Sequence, residues 1–184
     1  MIQDSIFETA SFHRIFDEIQ NLISFTHVAV FFLEGTEVTL VAYRGPILPD
    51  RLRAVNFDIS DFKNLDTILS TSAPLLIQDM ESDDPVAIAT RKDFEKVTDN
   101  PFSYIRSFLG FPLFSEDRIY AFLELVHEQR FFYCKKDLEI IQAYLEKSAY
   151  KIEQATLSAL LSRNKDDFGE LFKIDQVILT NLNL

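Results

Sequence analysis

The chain has 184 residues, 47% of them hydrophobic and 18 of them Phe, so it can bury a sizeable core and is not a disordered polypeptide. A formal charge of −11, spread along the sequence, opposes binding to a nucleic-acid backbone or an anionic membrane. One cysteine, Cys134, excludes an internal disulfide and a cysteine-rich zinc cluster, and no apolar run approaches the roughly 20 residues that cross a bilayer.

The first residues lack a basic segment followed by an apolar one, so no signal peptide is expected and a cytoplasmic location is. Phe12, Ile15, Phe16, Ile19, Leu22 and Ile23 recur at three- and four-residue spacing and predict an amphipathic helix capped by Ser11. The runs "HVAVFFLEG" and "VTLVAYRG" predict a β-hairpin in which Gly35 supplies a positive backbone angle. Pro46 and Pro49 mark the exit. A short helix carrying Leu65, Ile68 and Leu69 closes at Pro74, and "PLLIQDM" reads as a short strand. Residues 81–104 are polar and broken by "DDP" and "DNP", with a looser helical pattern in "VAIATRKDFEKVT".

"SFLGFPLFS" and "IYAFLELVHE" predict a second hairpin across "EDR". Pro112 cannot donate to a ladder, which implies an edge or a bulge. A long helix starts near Lys136 and carries Leu138, Ile141, Leu145, Ser148, Ile152 and Ala155 close to heptad spacing. Gly169 is a breaker in the remainder, residues 162–184, which reads as an extension, a further short helix or the start of a linker. The expected class is α+β, an antiparallel sheet with the N- and C-terminal helices packed on one face, forming a domain over residues 10–161.

This order resembles the GAF family of sensory domains. The likeness rests on "VAVFFLEG", "VTLVAYRG", "LLIQDM" and, above all, the stretch from residue 107 to the last helix. GAF domains carry a strand close to S-x-L-G-x-P-L, matched here by Ser107, Leu109, Gly110, Pro112 and Leu113. A return strand ending in His is matched by His127, and F-x-x-x-D-L by Phe131 or Phe132 with Asp137 and Leu138. The resemblance covers roughly residues 10–157 and implies an input domain of a signalling protein such as a sensor kinase.

Some relatives ligate haem through histidine, but His13, His27 and His127 are far apart in sequence and none belongs to a metal pair at helical spacing. Others attach a tetrapyrrole to cysteine or reduce free methionine sulfoxide with several cysteines. Cys134 follows the last strand, precedes Lys135 and Lys136, and has no second thiol to resolve a disulfide, so it reads as a bystander, with redox sensing as a lesser alternative. The cyclic-nucleotide signature of other relatives is begun by Asn164, Lys165 and Phe168, but Phe172 stands where its Asp-Glu is required.

The excursion over residues 79–106 is the expected place for a ligand of unknown identity. Arg91, Lys92, Lys96 and Arg106 stand out there against an acidic background, with Phe102 and Tyr104 beside Arg106. An Arg flanked by aromatics can clamp a carboxylate or stack on a planar ring. The candidate pocket is therefore Arg106, Tyr104, Phe108 and Arg91, with Phe57, Phe62 and Phe122 as further wall or core. Leu138, Ile141, Leu145 and Ile152, flanked by Glu139, Glu146, Lys147 and Lys151, suggest a homodimer through the last helix, which would carry a signal to an output domain or partner protein. No nucleophile, base and orienting group assemble from the sequence, so a non-enzymatic two-component sensor is expected. The alternative is a structural dimerisation module whose pocket is filled by its own Phe side chains.

Overall fold

The computed structural model describes residues 5–7, 9–47, 56–59, 63–95 and 102–182. In chain order the elements are β1 (Ser5–Phe7), α1 (Ala10–Leu22), β2 (His27–Glu34), β3 (Glu37–Gly45), β4 (Asn56–Asp58), α2 (Lys63–Thr71), β5 (Leu75–Ile77), α3 (Pro85–Glu95), β6 (Ser107–Ser115), β7 (Arg118–His127) and α4 (Lys135–Leu182). The strands form one antiparallel sheet in the order β1-β3-β2-β7-β6-β5, and β4 joins the outer edge of β3 beside β1. β5 pairs only with Phe108, Leu109 and Gly110, so the outer half of β6, which contains Pro112, has no outer partner among the described residues.

Strand alternation sorts the sheet into two faces. On one, Val28, Val30, Leu109, Phe111, Leu123 and Leu125 pack with Phe12, Ile15, Phe16 and Ile19 of α1 and with Ile141, Leu145, Ile152 and Ala155 of α4. On the other, Ala29, Phe31, Leu40, Tyr43 and Phe122 form one apolar group, and Phe108, Val126 and Ile77 form a second with Ala87 of α3. Two bulges adjust the alternation. Val41 is extra against Val30 and Phe31, and Tyr120 is extra against Leu113 and Phe114. Consecutive residues Val41–Ala42 and Tyr120–Ala121 thereby all reach the α1/α4 core, as an inserted residue in a ladder allows.

The glycines earn their positions locally. Gly35 turns the first hairpin at φ +64, which an L side chain resists. A Cβ on Gly110 would stand 2.9 Å from Ile68 of α2 and 2.9 Å from Phe108, so the glycine of "SFLGFPL" lets α2 lean on the strand.

Three expectations change. The helix cap is Thr9, whose hydroxyl accepts from the Phe12 N–H at 3.5 Å, because α1 begins at Ala10, before Ser11. Gly169 does not break the last helix, which runs unbroken from Lys135 to Leu182. The expected dimer seam is turned inward: Ile141 and Ile152 are fully buried, Leu145 nearly so, and Leu138 packs against the same core. These residues hold α4 to its own sheet, since a flat sheet face needs a helix to cover it. Lys151 is likewise intramolecular, bonding Glu18 of α1, which also accepts from the Tyr144 hydroxyl at 2.8 Å.

Ile152→Ala is expected to lower stability by about 2–5 kcal/mol, read from denaturant midpoints, against a change of under about 0.5 kcal/mol for the exposed Lys147→Ala. The bond from Lys151, and then that from Tyr144, holds the Glu18 carboxyl below its usual range. A depressed carboxyl stabilises the fold above the ordinary carboxylate range, and that contribution is lost as pH falls through the lowered value. Glu18→Gln is therefore expected to be less stable than the parent at neutral pH and to converge with it in acid, measured by urea unfolding at both pH values.

Candidate functional site

The face of the sheet away from α1 and α4 carries one polar line in an apolar field. His27 opens β2, and Glu124 stands in the middle of β7 opposite Ala29 and Gly110, two small neighbours that leave its carboxylate room. Both are buried. His27 Nε2 lies 3.0 Å from Glu124 Oε1, and its Nδ1 is hydrogen-bonded to the Tyr104 hydroxyl. The Tyr104 hydroxyl in turn bonds that of Tyr43, which accepts the Ile47 N–H at 3.0 Å.

The Nε2–H of His27 donates to the Glu124 carboxyl, and the Tyr104 hydroxyl, which can both donate and accept, serves Nδ1 of His27 and the hydroxyl of Tyr43. Burial, then the neighbouring Tyr43 and Glu124, push the Tyr104 phenol far above its ordinary value, so it stays a protonated donor. Gly45 makes the cluster possible, because a Cβ there would come within 2.3 Å of His27 Cβ and 2.5 Å of Tyr43 Oη. Stacked Phe31 and Phe122 rings, 4.6 Å between centroids, extend the apolar floor, and Phe102 lies 6.3 Å from the His27 ring.

Over this floor lie residues 79–95 and 102–106, and two arginines hold them by hydrogen bonds and an ion pair. Arg91 donates to the carbonyl oxygens of Met80 and, at 3.0 Å, Ser82. Arg106 Nε pairs with Glu81 Oε1 at 3.1 Å, while its Nη1 donates to Ser103 O at 2.6 Å and Ile105 O at 3.0 Å. Arg130 also pairs with Glu81 and lies 3.7 Å from Asp79. A cavity of about 180 Å³ lies among Met80, Glu81, Arg91, Phe94, Phe102 and Arg106.

Of the four pocket residues expected from sequence, Arg91 and Arg106 thus meet at this cavity but spend their guanidinium groups on intramolecular acceptors. Tyr104 belongs to the polar line, and Phe108 is buried in the apolar group beneath α3. Phe122 is floor, while the side chains of Phe57 and Phe62 and all of Lys96 lie outside the described residues. Sequence reasoning weighed His27 only as a haem ligand and passed over Glu124 and Tyr43. The available signal was a carboxylate inside "AFLELV", a run that is apolar on both faces and has no reason to carry a charge.

A larger cavity, about 410 Å³, lies on the opposite face between α4 and the outer half of β6, lined by Phe111, Leu113, Tyr120, Leu145 and Ile152. At its rim Gln142 Nε2 donates to Glu146 Oε1 at 3.1 Å. His127 stacks on Phe132 at 3.4 Å, and burial lowers its pKa. Cys134 is exposed, with its N–H held by Asp137 Oδ2 at 2.8 Å. Among the described residues no group of His, Cys, Asp and Glu is placed to hold a metal, and no helix is long and apolar enough to cross a membrane.

Among the described residues, seven strands in one antiparallel sheet with helices on both faces make an α+β domain. The chain matches the GAF domain family over residues 9–149 and belongs to it. Among solved structures it is similar to a GAF domain/HD domain protein from Geobacter sulfurreducens, at 14% identity and TM-score 0.61, over 80% of this chain and 92% of that one. It is similar to a type II free methionine-R-sulfoxide reductase from Thermoplasma acidophilum at 12% identity and TM-score 0.60, over 79% and 92%. The GAF domain of a two-component sensor histidine kinase from Bacillus halodurans aligns at 12% identity and TM-score 0.56, over 80% and 95%. No curated protein matches in sequence. These identities establish a shared fold. They also correct the expectation of a non-enzymatic chain: a reductase is built on this same fold, so the fold gives no ground for that exclusion.

Tyr104→Phe leaves His27 Nδ1 buried without its hydrogen-bond partner and is expected to cost about 1–3 kcal/mol, read from urea unfolding. Gly45→Ala, which forces His27 and Tyr43 apart, is expected to be at least as damaging.

Proposed function

We propose that this chain is the input domain of a cytoplasmic signalling protein, of two-component type, and that it binds a small polar molecule between the sheet and the 79–106 excursion. The observation that carries this reading is the buried line Glu124–His27–Tyr104–Tyr43. Desolvating a carboxylate and an imidazole in mid-sheet costs more than filling the same volume with apolar side chains, so packing alone does not account for them. The adjoining cavity, about 180 Å³, has room for about six waters' share of liquid volume, which suits a small ligand.

A route to the output runs through residues 78–81. Gln78 O accepts the Phe131 N–H at 2.6 Å, Gln78 Nε2 donates to Tyr133 O at 3.3 Å, and Arg130 pairs with Asp79 and Glu81. These contacts hold the corner that leads into α4, and Phe131 there sits at φ 56, a backbone state that persists because its surroundings dictate it. A ligand that engages Tyr104 shifts the excursion, and with it the corner and the start of α4.

Native mass spectrometry of the protein as purified from cells, before and after denaturation, tests this. An extra mass that is lost on denaturation is expected, and Glu124→Gln is expected to weaken its retention at least about tenfold, a loss of about 1.4 kcal/mol of binding. A bare chain that no small molecule stabilises against heat would instead favour a structural module with its aromatic residues filling the pocket.

A further inference from the structure

Gln142, Leu145, Glu146, Ala149 and Ile152 follow one another at three- and four-residue spacing, so they share a single face of α4, the one that meets the outer half of β6. Leu145 and Ile152 belong to the core that α4 shares with the sheet, while Gln142, Glu146 and Ala149 are exposed beside them. Ala149, with its single methyl group, leaves room on this face. The cavity of about 410 Å³ that it lines falls within the range of small-molecule sites. Phe111 and Leu113 of β6 give that cavity an apolar wall, and the half-exposed Phe114 lines it as well. Tyr120 adds its ring, since its hydroxyl is engaged with Thr156.

The charged groups that line the cavity are both negative. They are Glu146 and Glu116, the latter in the turn between β6 and β7, and neither pairs with a cation among the described residues. Because Gln142 Nε2 donates to Glu146 Oε1, Gln142 Oε1 and Glu146 Oε2 are left as acceptors. Aromatic rings beside carboxylates attract an organic cation, whereas two acids in a chain of net charge −11 repel an anion. An ammonium group brings three donors and no acceptor, which is what these oxygens need. We propose that this groove binds a small primary amine with an apolar or aromatic body, its ammonium meeting Glu146 and Gln142 while Glu116 adds charge. Its body would replace water against Phe111, Leu113 and Leu145. The site is separate from the cavity among Met80, Arg91 and Phe102 and does not depend on that one being occupied. An occupant would touch α4 directly.

The test is a protein-observed NMR titration of the full chain with phenethylamine, run beside the neutral phenethyl alcohol and the anionic hydrocinnamate. The amine is expected to shift the amides of residues 111–116 and 142–152 and to bind at least about tenfold more tightly than the alcohol, with the acid weaker still. Glu116→Gln with Glu146→Gln is expected to bring the amine down to the level of the alcohol. Ala149→Leu, which fills the groove, is expected to weaken both at least about tenfold. Urea unfolding of these variants is expected to match the parent, since all three positions are exposed. An amine that binds no better than the alcohol overturns the inference, as does a preference that survives the double variant or a set of shifts confined to residues 79–106. A lysine-bearing peptide that outcompetes the amine overturns it too, in favour of a protein partner.

Discussion

The structure depends on the burial of β7 on both faces. Leu123 and Leu125 point into the α1/α4 core, while Phe122, Glu124 and Val126 point to the other side, so this strand separates two interiors. A strand in that position is ordinarily apolar throughout. The one charge it carries must find a partner without water, and His27, one strand away, supplies it. The His27 ring then needs a hydrogen-bond partner at its other nitrogen, which brings in Tyr104 from the excursion and Tyr43 behind it. One buried carboxylate thus ties three strands and the segment above them into a single hydrogen-bonded unit.

How much of this was legible beforehand follows from range. Helix and strand identities came from local periodicity, and both hairpins, the long helix and the GAF resemblance needed nothing more. Gly110 and Pro112 were recognisable as special, although their reasons, the approach of Ile68 and an unpaired stretch of strand, are tertiary. The polar line was hidden because its members stand 16, 61 and 20 residues apart along the chain, from His27 to Tyr43 to Tyr104 to Glu124. Arg91 and Arg106 drew attention by charge alone, and charge does not reveal whether a guanidinium faces a ligand or a carbonyl. The helical seam was misread for a related reason: a near-heptad stripe looks the same whether it meets a sheet or another helix, and only burial tells which.

The fold itself is permissive. The same sheet, with the same helices behind it, underlies the GAF domain of a two-component sensor histidine kinase and a free methionine-R-sulfoxide reductase, so the fold leaves the difference to side chains. Here the polar side chains buried on the face away from α1 and α4 are a carboxyl, an imidazole and two phenols on an aromatic floor.

The short length of β5 has a further effect. Beyond Gly110 no strand among the described residues pairs with the outer side of β6 at Phe111 to Ser115, and Phe114 there is half-exposed. Such a rim is a template on which a stray strand from another molecule can grow. A proline in a paired strand turns its nitrogen, which has no hydrogen to offer, toward the unpaired side. Pro112 therefore acts as a gatekeeper against edge-to-edge aggregation, and a residue that first reads as a family signature also keeps the sheet from extending itself.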